Sequence, residues 1–212
     1  MKIEQLGPPG ADHSTGLILY WRDRLLFALL PASQWHESSA GTVACVAGIG
    51  GHLEAGESWA QAVRREAREE AGVDVTLRSP AETWLLRDDG TVQDITTSLE
   101  WLAPPPRPLF IWTAQFGPPP DGRSRYFVNA VFDAVLAGDV EPHPAAEMPA
   151  ILALTEAQLH EMSERPTSLE KLLSEGAIFW ERLSIPRTTL IAPWGTALWY
   201  HVWRQSRLRA AD

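Results

Sequence analysis

Apolar and polar residues change their period several times along this chain. Residues 15–30, TGLILYWRDRLLFALL, are two apolar runs separated by Arg22-Asp23-Arg24. This predicts two strands of about six residues joined by a short polar turn rather than one helix. Val43 to Ala47, partly β-branched and bounded by glycine, predicts a third strand. The period then becomes helical from Trp59 to Ala71. At about 100° per residue, Ala60, Val63, Ala67 and Ala71 form a narrow stripe of small apolar side chains. Ser58 and Gln61 form a capping box, Glu57 puts negative charge at the positive end of the dipole, and Gly72 suits the left-handed step past the C-terminus.

Alternation returns at Val73–Arg78 and, more weakly, at Ala81–Arg87, before a turn at Asp88-Asp89-Gly90. Residues 91–102 are ambiguous and Thr-rich. LFIWTAQFG lies between the proline runs 104–106 and 118–120, which predicts a strand between stiff connectors. Tyr126–Leu136 and Met148–Leu154 are further predicted strands. Thr155 caps a helix, Ser168–Ser174 suggests another ending at Gly176, and the tail after Pro193 has helical spacing at Leu198, Val202 and Gln205. Residues 1–14, with Gly7-Pro8-Pro9-Gly10, are expected to be irregular, and 31–42 to be a loop. The economical reading is one α/β domain over residues 15–155 with a helical C-terminal extension, 156–212, packed on the same domain.

Composition narrows the partners. Of the 212 residues, 45% are hydrophobic, enough for a sizeable core, while the formal net charge is −9 and the pI about 5.1. Such a chain is repelled by nucleic-acid backbones and anionic lipid, so no nucleic-acid polymer and no membrane is expected as a partner. A phosphorylated small molecule remains open to it where bound cations invert the local field. Cys45 is the only cysteine, residues 1–14 lack the apolar stretch of a signal peptide, and no run approaches the roughly 20 apolar residues of a membrane span. A cytoplasmic location is the expectation. Ten tryptophans supply core or interface anchors; Trp199 and Trp203 in the tail suit either a homodimer interface or packing within the chain.

The chemistry concentrates on the capped helix. Glu66, Glu69 and Glu70 fall together on one flank of its stripe, with Arg64, Arg65 and Arg68 on the other side. Carboxylates crowded in this way repel unless a cation sits between them. Their separation from the arginines favours a hard divalent cation held by oxygen ligands over a solvated helix of ion pairs. Gly48, Gly50 and Gly51 either let phosphate approach main-chain N–H groups or serve a tight strand-to-helix turn. His52 follows as a phosphate contact or an exposed loop residue.

The spacing Gly51-x5-Glu57-x7-Arg65-Glu66-Ala67-x-Glu69-Glu70-x-Gly72-Val73 resembles the Nudix box, with all seven specified identities and both aliphatic positions filled within 23 residues. The resemblance is close over about a tenth of the chain and loose over residues 15–155. It implies a mixed β-sheet sandwiched between helices, the box helix packed on it, and a hydrolase that splits a diphosphate linked to another group with Mg2+ or Mn2+. It also implies Glu66 and Glu70 as the leading metal ligands and Glu69 as third ligand or general base. Glu57 would support the loop or reach the metal through water. Arg65 would orient a carboxylate or backbone group, Gly50, Gly51 and His52 would form the phosphate loop, and Glu147 in EPHPAAEMP is the candidate for a base supplied from a later loop, as in some relatives. Signatures of hydrolases for coenzyme A, ADP-ribose, dinucleoside polyphosphates and NADH do not match outside the box, so the substrate stays unassigned. Trp84, Trp101 and Trp112 flank the region where relatives build a substrate pocket, and serve either a base or the core. The competing reading is a Nudix-fold module that binds a nucleotide or metabolite without turnover; the intact set of carboxylates argues against it.

Overall fold

Strands β1 (Asp12–Trp21) and β2 (Arg24–Leu29) form the expected antiparallel hairpin, with Trp21 opposite Arg24 and Arg22 turned to φ 55° at the tip. The computed structural model that shows this describes residues 1–101, 106–116, 125–145 and 147–209. The hairpin is followed by β3 (His36–Ser38) and β4 (Gly41–Ala47), and then by α1 (Trp59–Ala71), which has the predicted bounds, the Ser58–Gln61 capping box and a left-handed Gly72 cap. Next come β5 (Val75–Arg78), β6 (Trp84–Arg87), β7 (Val92–Asp94), β8 (Phe110–Phe116), β9 (Arg125–Leu136) and β10 (Ala150–Leu154). The chain continues through α2 (Glu156–Glu164), β11 (Thr167–Ser168), α3 (Leu169–Ser174), β12 (Ile178–Glu181), β13 (Leu190–Pro193) and α4 (Gly195–Arg209).

Among the described residues these strands form one mixed sheet. Its main path runs β11-β13-β4-β2-β1-β9-β8-β6-β7, with β3, β5, β10 and β12 pairing off it. The spine is the parallel pair β1–β9, in register from Asp12 opposite Phe127 to Tyr20 opposite Val135. Successive strand residues point to opposite faces, and the core divides accordingly. Leu17, Leu19 and Trp21 join Trp59, Val63, Ala67 and Ala71 of α1 on one face. Ile18 joins Leu159 and Met162 of α2, Leu169 and Leu172 of α3, and Ala197 and Tyr200 of α4 on the other. Full burial of a side chain such as Phe27 or Phe132 stabilises by about 1.5–3 kcal/mol, so both faces need their helices. The chain thus has the expected α/β sandwich.

Several local expectations are corrected. Residues 1–14 are not loose: Ile3 and Leu6 are buried, residues 3–5 form a 3-10 turn, and β1 starts at Asp12. Residues 31–42 contain β3, which closes a tight hairpin on β4 at Ser38–Gly41. Beyond residue 155 the three expected helices are present, and three short strands lie among them. Strand β13 pairs parallel with β4, and β12 pairs antiparallel with β10. These strands are two to four residues long, too short for an alternation to register in sequence. Trp199 stacks on Trp112 and Trp203 on Phe110, so both tail tryptophans pack within the chain. The predicted connectors Pro104-Pro105 and Pro118-Pro119-Pro120 lie outside the described residues. No helix among the described residues is long and apolar enough to cross a membrane.

Candidate active site

The loop between β4 and α1 is stitched to β1 before it reaches the helix. The Leu17 N–H donates to Ile49 O and the Thr15 N–H to Gly51 O, both at 2.8 Å. This draws the loop so close that an added Cβ would clash at Gly48, Gly50 and Gly51. A Cβ on Gly50 would lie 2.1 Å from Thr15 O, and one on Gly51 would lie 2.3 Å from Glu66 Oε1. Both glycines therefore serve close approach of backbone to strand and of loop to helix. The freed Gly50 N–H donates to Glu70 Oε2 at 2.9 Å, and His52 sits in an isolated bridge with Ser14.

Helix α1 presents its carboxylates to this loop. Glu66 is buried and Glu70 half-buried, whereas Glu69 is exposed. Arg65 lies among them: its Nη1 donates to Glu66 Oε1 at 2.8 Å and Glu69 Oε2 at 2.9 Å, while Nε and Nη2 form a two-pronged pair with Glu57 at 3.1 Å each. Nη2 also donates to His52 O at 3.0 Å. The expectation that all three arginines lie apart from the glutamates is therefore corrected for Arg65. Arg64 and Arg68 do turn away, toward Ala60 O and Asp74. The wheel gives the direction of a Cβ only, and a guanidinium at the end of a long stem can swing back over its neighbours. The buried face of α1 is shifted as well, toward Trp59, Ala62 and Glu66, leaving Ala60 half-buried.

The electrostatics separate these acids. The paired guanidinium lowers the pKa of Glu57, and its carboxylate partners hold Arg65 firmly charged. Burial raises Glu66 above the usual carboxylate range, with Arg65 opposing. Glu70 lacks a Lys or Arg partner among the described residues; burial pushes it up to about 8, against the Gly50 hydrogen bond and with help from Glu66 and Glu69. Glu66, Glu69 and Glu70 are all hard oxygen donors, and Glu57 adds a fourth. Their oxygens are the hard donors that a divalent cation takes, and without one Glu70 keeps its proton. Glu147 is exposed in a loop tied to the end of α1, where the His143 N–H donates to Ala71 O and the Ala145 N–H to Glu70 O. That loop is docked on the helix, but no described hydrogen bond joins the Glu147 carboxylate to the cluster.

On its other side the Gly48–His52 loop walls a cavity of about 440 Å3, lined also by Trp112, Phe116, Phe127, Asn129, Trp194 and Thr196. Phe116 packs edge-on against Phe127 at 5.2 Å and lies 5.6 Å from Trp194. Asn129 donates from Nδ2 to Ser14 Oγ at 2.8 Å, and its buried Oδ1 has no partner among the described residues. Of the three flagged tryptophans only Trp112 reaches this cavity. Trp84 lies under Arg207, and Trp101 packs on Phe132. Asn129, Trp194 and Thr196 were not anticipated. A polar Asn within the apolar stretch YFVNAVF was the available signal for the first, whereas the last two arrive only through the pairing of β13 with β4.

A family model of the NUDIX domain matches residues 18–172. No curated protein matches the chain. Among solved structures the chain is similar to a NUDIX-family hydrolase from Clostridium perfringens, at 20% identity, covering 71% of this chain and 84% of that one with a TM-score of 0.43. It is similar to an ADP-ribose pyrophosphatase from Streptococcus suis at 16% identity, 69% and 75% coverage and a TM-score of 0.38. A third similar structure is the E. coli ORF135 protein, at 19% identity, 73% and 83% coverage and a TM-score of 0.41.

Proposed function

Since this chain belongs to the Nudix hydrolase family, we propose that it hydrolyses the diphosphate linkage of a nucleoside diphosphate derivative with Mg2+ or Mn2+. The observation that carries this reading is the double use of one loop. Gly50 and Gly51 touch Glu70 and Glu66 on one side and wall the aromatic cavity on the other. An aromatic group in the cavity and a diphosphate at the carboxylates are thereby within reach of one substrate. A diphosphate approaches these carboxylates only with cations between them, which is the need that a bound metal meets. Glu66, Glu70 and, as third ligand, Glu69 would hold the metal, which would supply neutralisation of phosphate charge and a more acidic water.

The protein's own groups have separable tasks. Arg65 fixes Glu57, Glu66 and Glu69 relative to the loop, so that little reorganisation remains at the moment of reaction. Where Glu69 does not serve as third ligand, this most exposed of the three helix acids, held by Arg65 at Oε2 only, takes a proton from the attacking water, with Glu147 as the alternative base. Phe116, Phe127, Trp112 and Trp194 give a base a stacking surface, and Asn129 Oδ1, without a partner among the described residues, gives it an acceptor for a ring or exocyclic N–H. Purified protein should turn over at least one member of a panel of nucleoside triphosphates, nucleotide sugars and dinucleotides with Mg2+ or Mn2+, and product identification fixes the bond cleaved. Absence of turnover across the whole panel with either metal would overturn the reading.

A further inference from the structure

On the face of the sheet opposite α1, helices α2 and α4 bring two imidazoles and a carboxylate together. His160 and Glu164 lie four residues apart on one side of α2, and His201 faces them from α4. Donor atoms of all three lie within 4.8 Å of one another; among the described residues this is the one such His, Cys, Asp or Glu triad. The imidazoles stack with centroids 5.2 Å apart at 25°. Neither ring forms a hydrogen bond with a described residue, and Glu164 has no Lys or Arg partner among them. The neighbouring cations are occupied elsewhere: Arg204 with Glu156, Arg165 with Glu161, and Lys171 with Glu161 and Glu175.

We propose that His160, Glu164 and His201 form a binding site for a divalent transition metal, with zinc the best match, that clips α4 to α2. The mixed nitrogen and oxygen donor set is what separates this site from the carboxylates of α1. Imidazole suits borderline ions such as Zn2+, whereas Mg2+ prefers oxygen alone. A tetrahedral ion bonded at 2.0–2.2 Å to each ligand sets its donors roughly 3.4 Å apart, close to the present separations of at most 4.8 Å, and the exposed His160 and Glu164 leave a fourth position for water. Burial and the facing His160 already hold His201 toward its neutral, metal-binding form.

The consequence extends to the substrate cavity. The first turn of α4 places Gly195 and Thr196 in the cavity wall, and the Tyr200 hydroxyl, one residue before His201, bonds to Tyr20 and Glu156. An ion that ties α4 to α2 therefore restrains the helix whose first turn shapes the cavity. The test is calorimetric titration of zinc chloride into tag-free full-length protein carrying Glu66→Gln and Glu70→Gln, which weakens the separate box site. The expected result is one equivalent bound, insensitive to millimolar Mg2+, with a rise in melting temperature. Adding His160→Ala or His201→Ala should weaken binding more than about hundredfold, beyond the 10–100-fold effect of losing a mere supporting contact. His201→Gln serves where the alanine variant loses its native circular dichroism. Folded protein that binds no zinc at micromolar concentration, or binds it equally well without His201, would overturn the proposal.

Discussion

The amide of Gly50 donates to Glu70 Oε2 at 2.9 Å, tying the loop that walls the cavity to the last turn of α1. This bond leaves Glu70 a well-placed carboxylate with no Lys or Arg beside it among the described residues. Glu70→Gln retains an acceptor for Gly50 but removes the charge that would hold a metal. Turnover of the substrate identified from the panel should fall by at least about a hundredfold, with native circular dichroism retained. Near-normal turnover would remove Glu70 from the site.

The same residue makes a pH prediction. Its folded-state pKa, about 8, is raised above the usual carboxylate value. The folded protein therefore holds a proton that the unfolded chain releases at lower pH. Its contribution to stability is complete in acid and is lost as pH rises through about 8. Melting temperatures in EDTA should fall more steeply between pH 5 and 8 for the wild type than for Glu70→Gln. The stabilisation conferred by Mg2+ should grow over the same interval as cation replaces proton. Parallel profiles for the two proteins would count against a buried, protonated Glu70.

Gly51→Ala would place a methyl carbon 2.3 Å from Glu66 Oε1 and force that carboxylate or the loop to move. Overpacking of this kind costs about 1–3 kcal/mol. Activity should fall more than stability does, because Glu66 is displaced from the cluster. Chemical denaturation and steady-state kinetics on the same preparation separate the two effects.

Removal of Arg65 takes the single guanidinium from among Glu57, Glu66 and Glu69. Arg65→Met should destabilise the metal-free protein by about 1–3 kcal/mol, as expected when charged hydrogen-bond partners are left unpaired. Millimolar Mg2+ should then restore more stability than it adds to the wild type, since the ion meets carboxylates that have lost their counter-charge. A thermal series with and without Mg2+ checks this; equal increments in both proteins would refute it.

Asn129→Ala removes the buried Oδ1 acceptor in the cavity together with the Nδ2 bond to Ser14 Oγ, so native circular dichroism is checked before the kinetics are compared. If that oxygen receives an N–H from a bound base, KM should rise about tenfold with kcat little changed, the pattern of binding lost equally from ground and transition states. A fall in kcat at constant KM would instead place Asn129 in the chemistry.

Much of this protein was legible along the chain wherever the cause is local. The capped helix Trp59–Ala71, the β1–β2 hairpin and the cluster of Glu66, Glu69 and Glu70 depend on residues within a few positions of one another. Capping, strand alternation and helical spacing act over that same range. The position of the Arg65 guanidinium was not legible, because a flexible stem adds reach that Cβ geometry does not set.

Local patterns along the chain therefore carried the family, the helix that bears the acids and the oxygen-rich donor set. The tertiary structure alone decided that the loop glycines join those acids to an aromatic cavity, and that residues from β9 and the start of α4 complete its wall. It alone brought His201 to His160 and Glu164. These associations arise from β1–β9 and β4–β13 pairing between segments more than a hundred residues apart. Pairing at such distance is settled by burial on both faces of the whole sheet, a property that no local window of the chain contains.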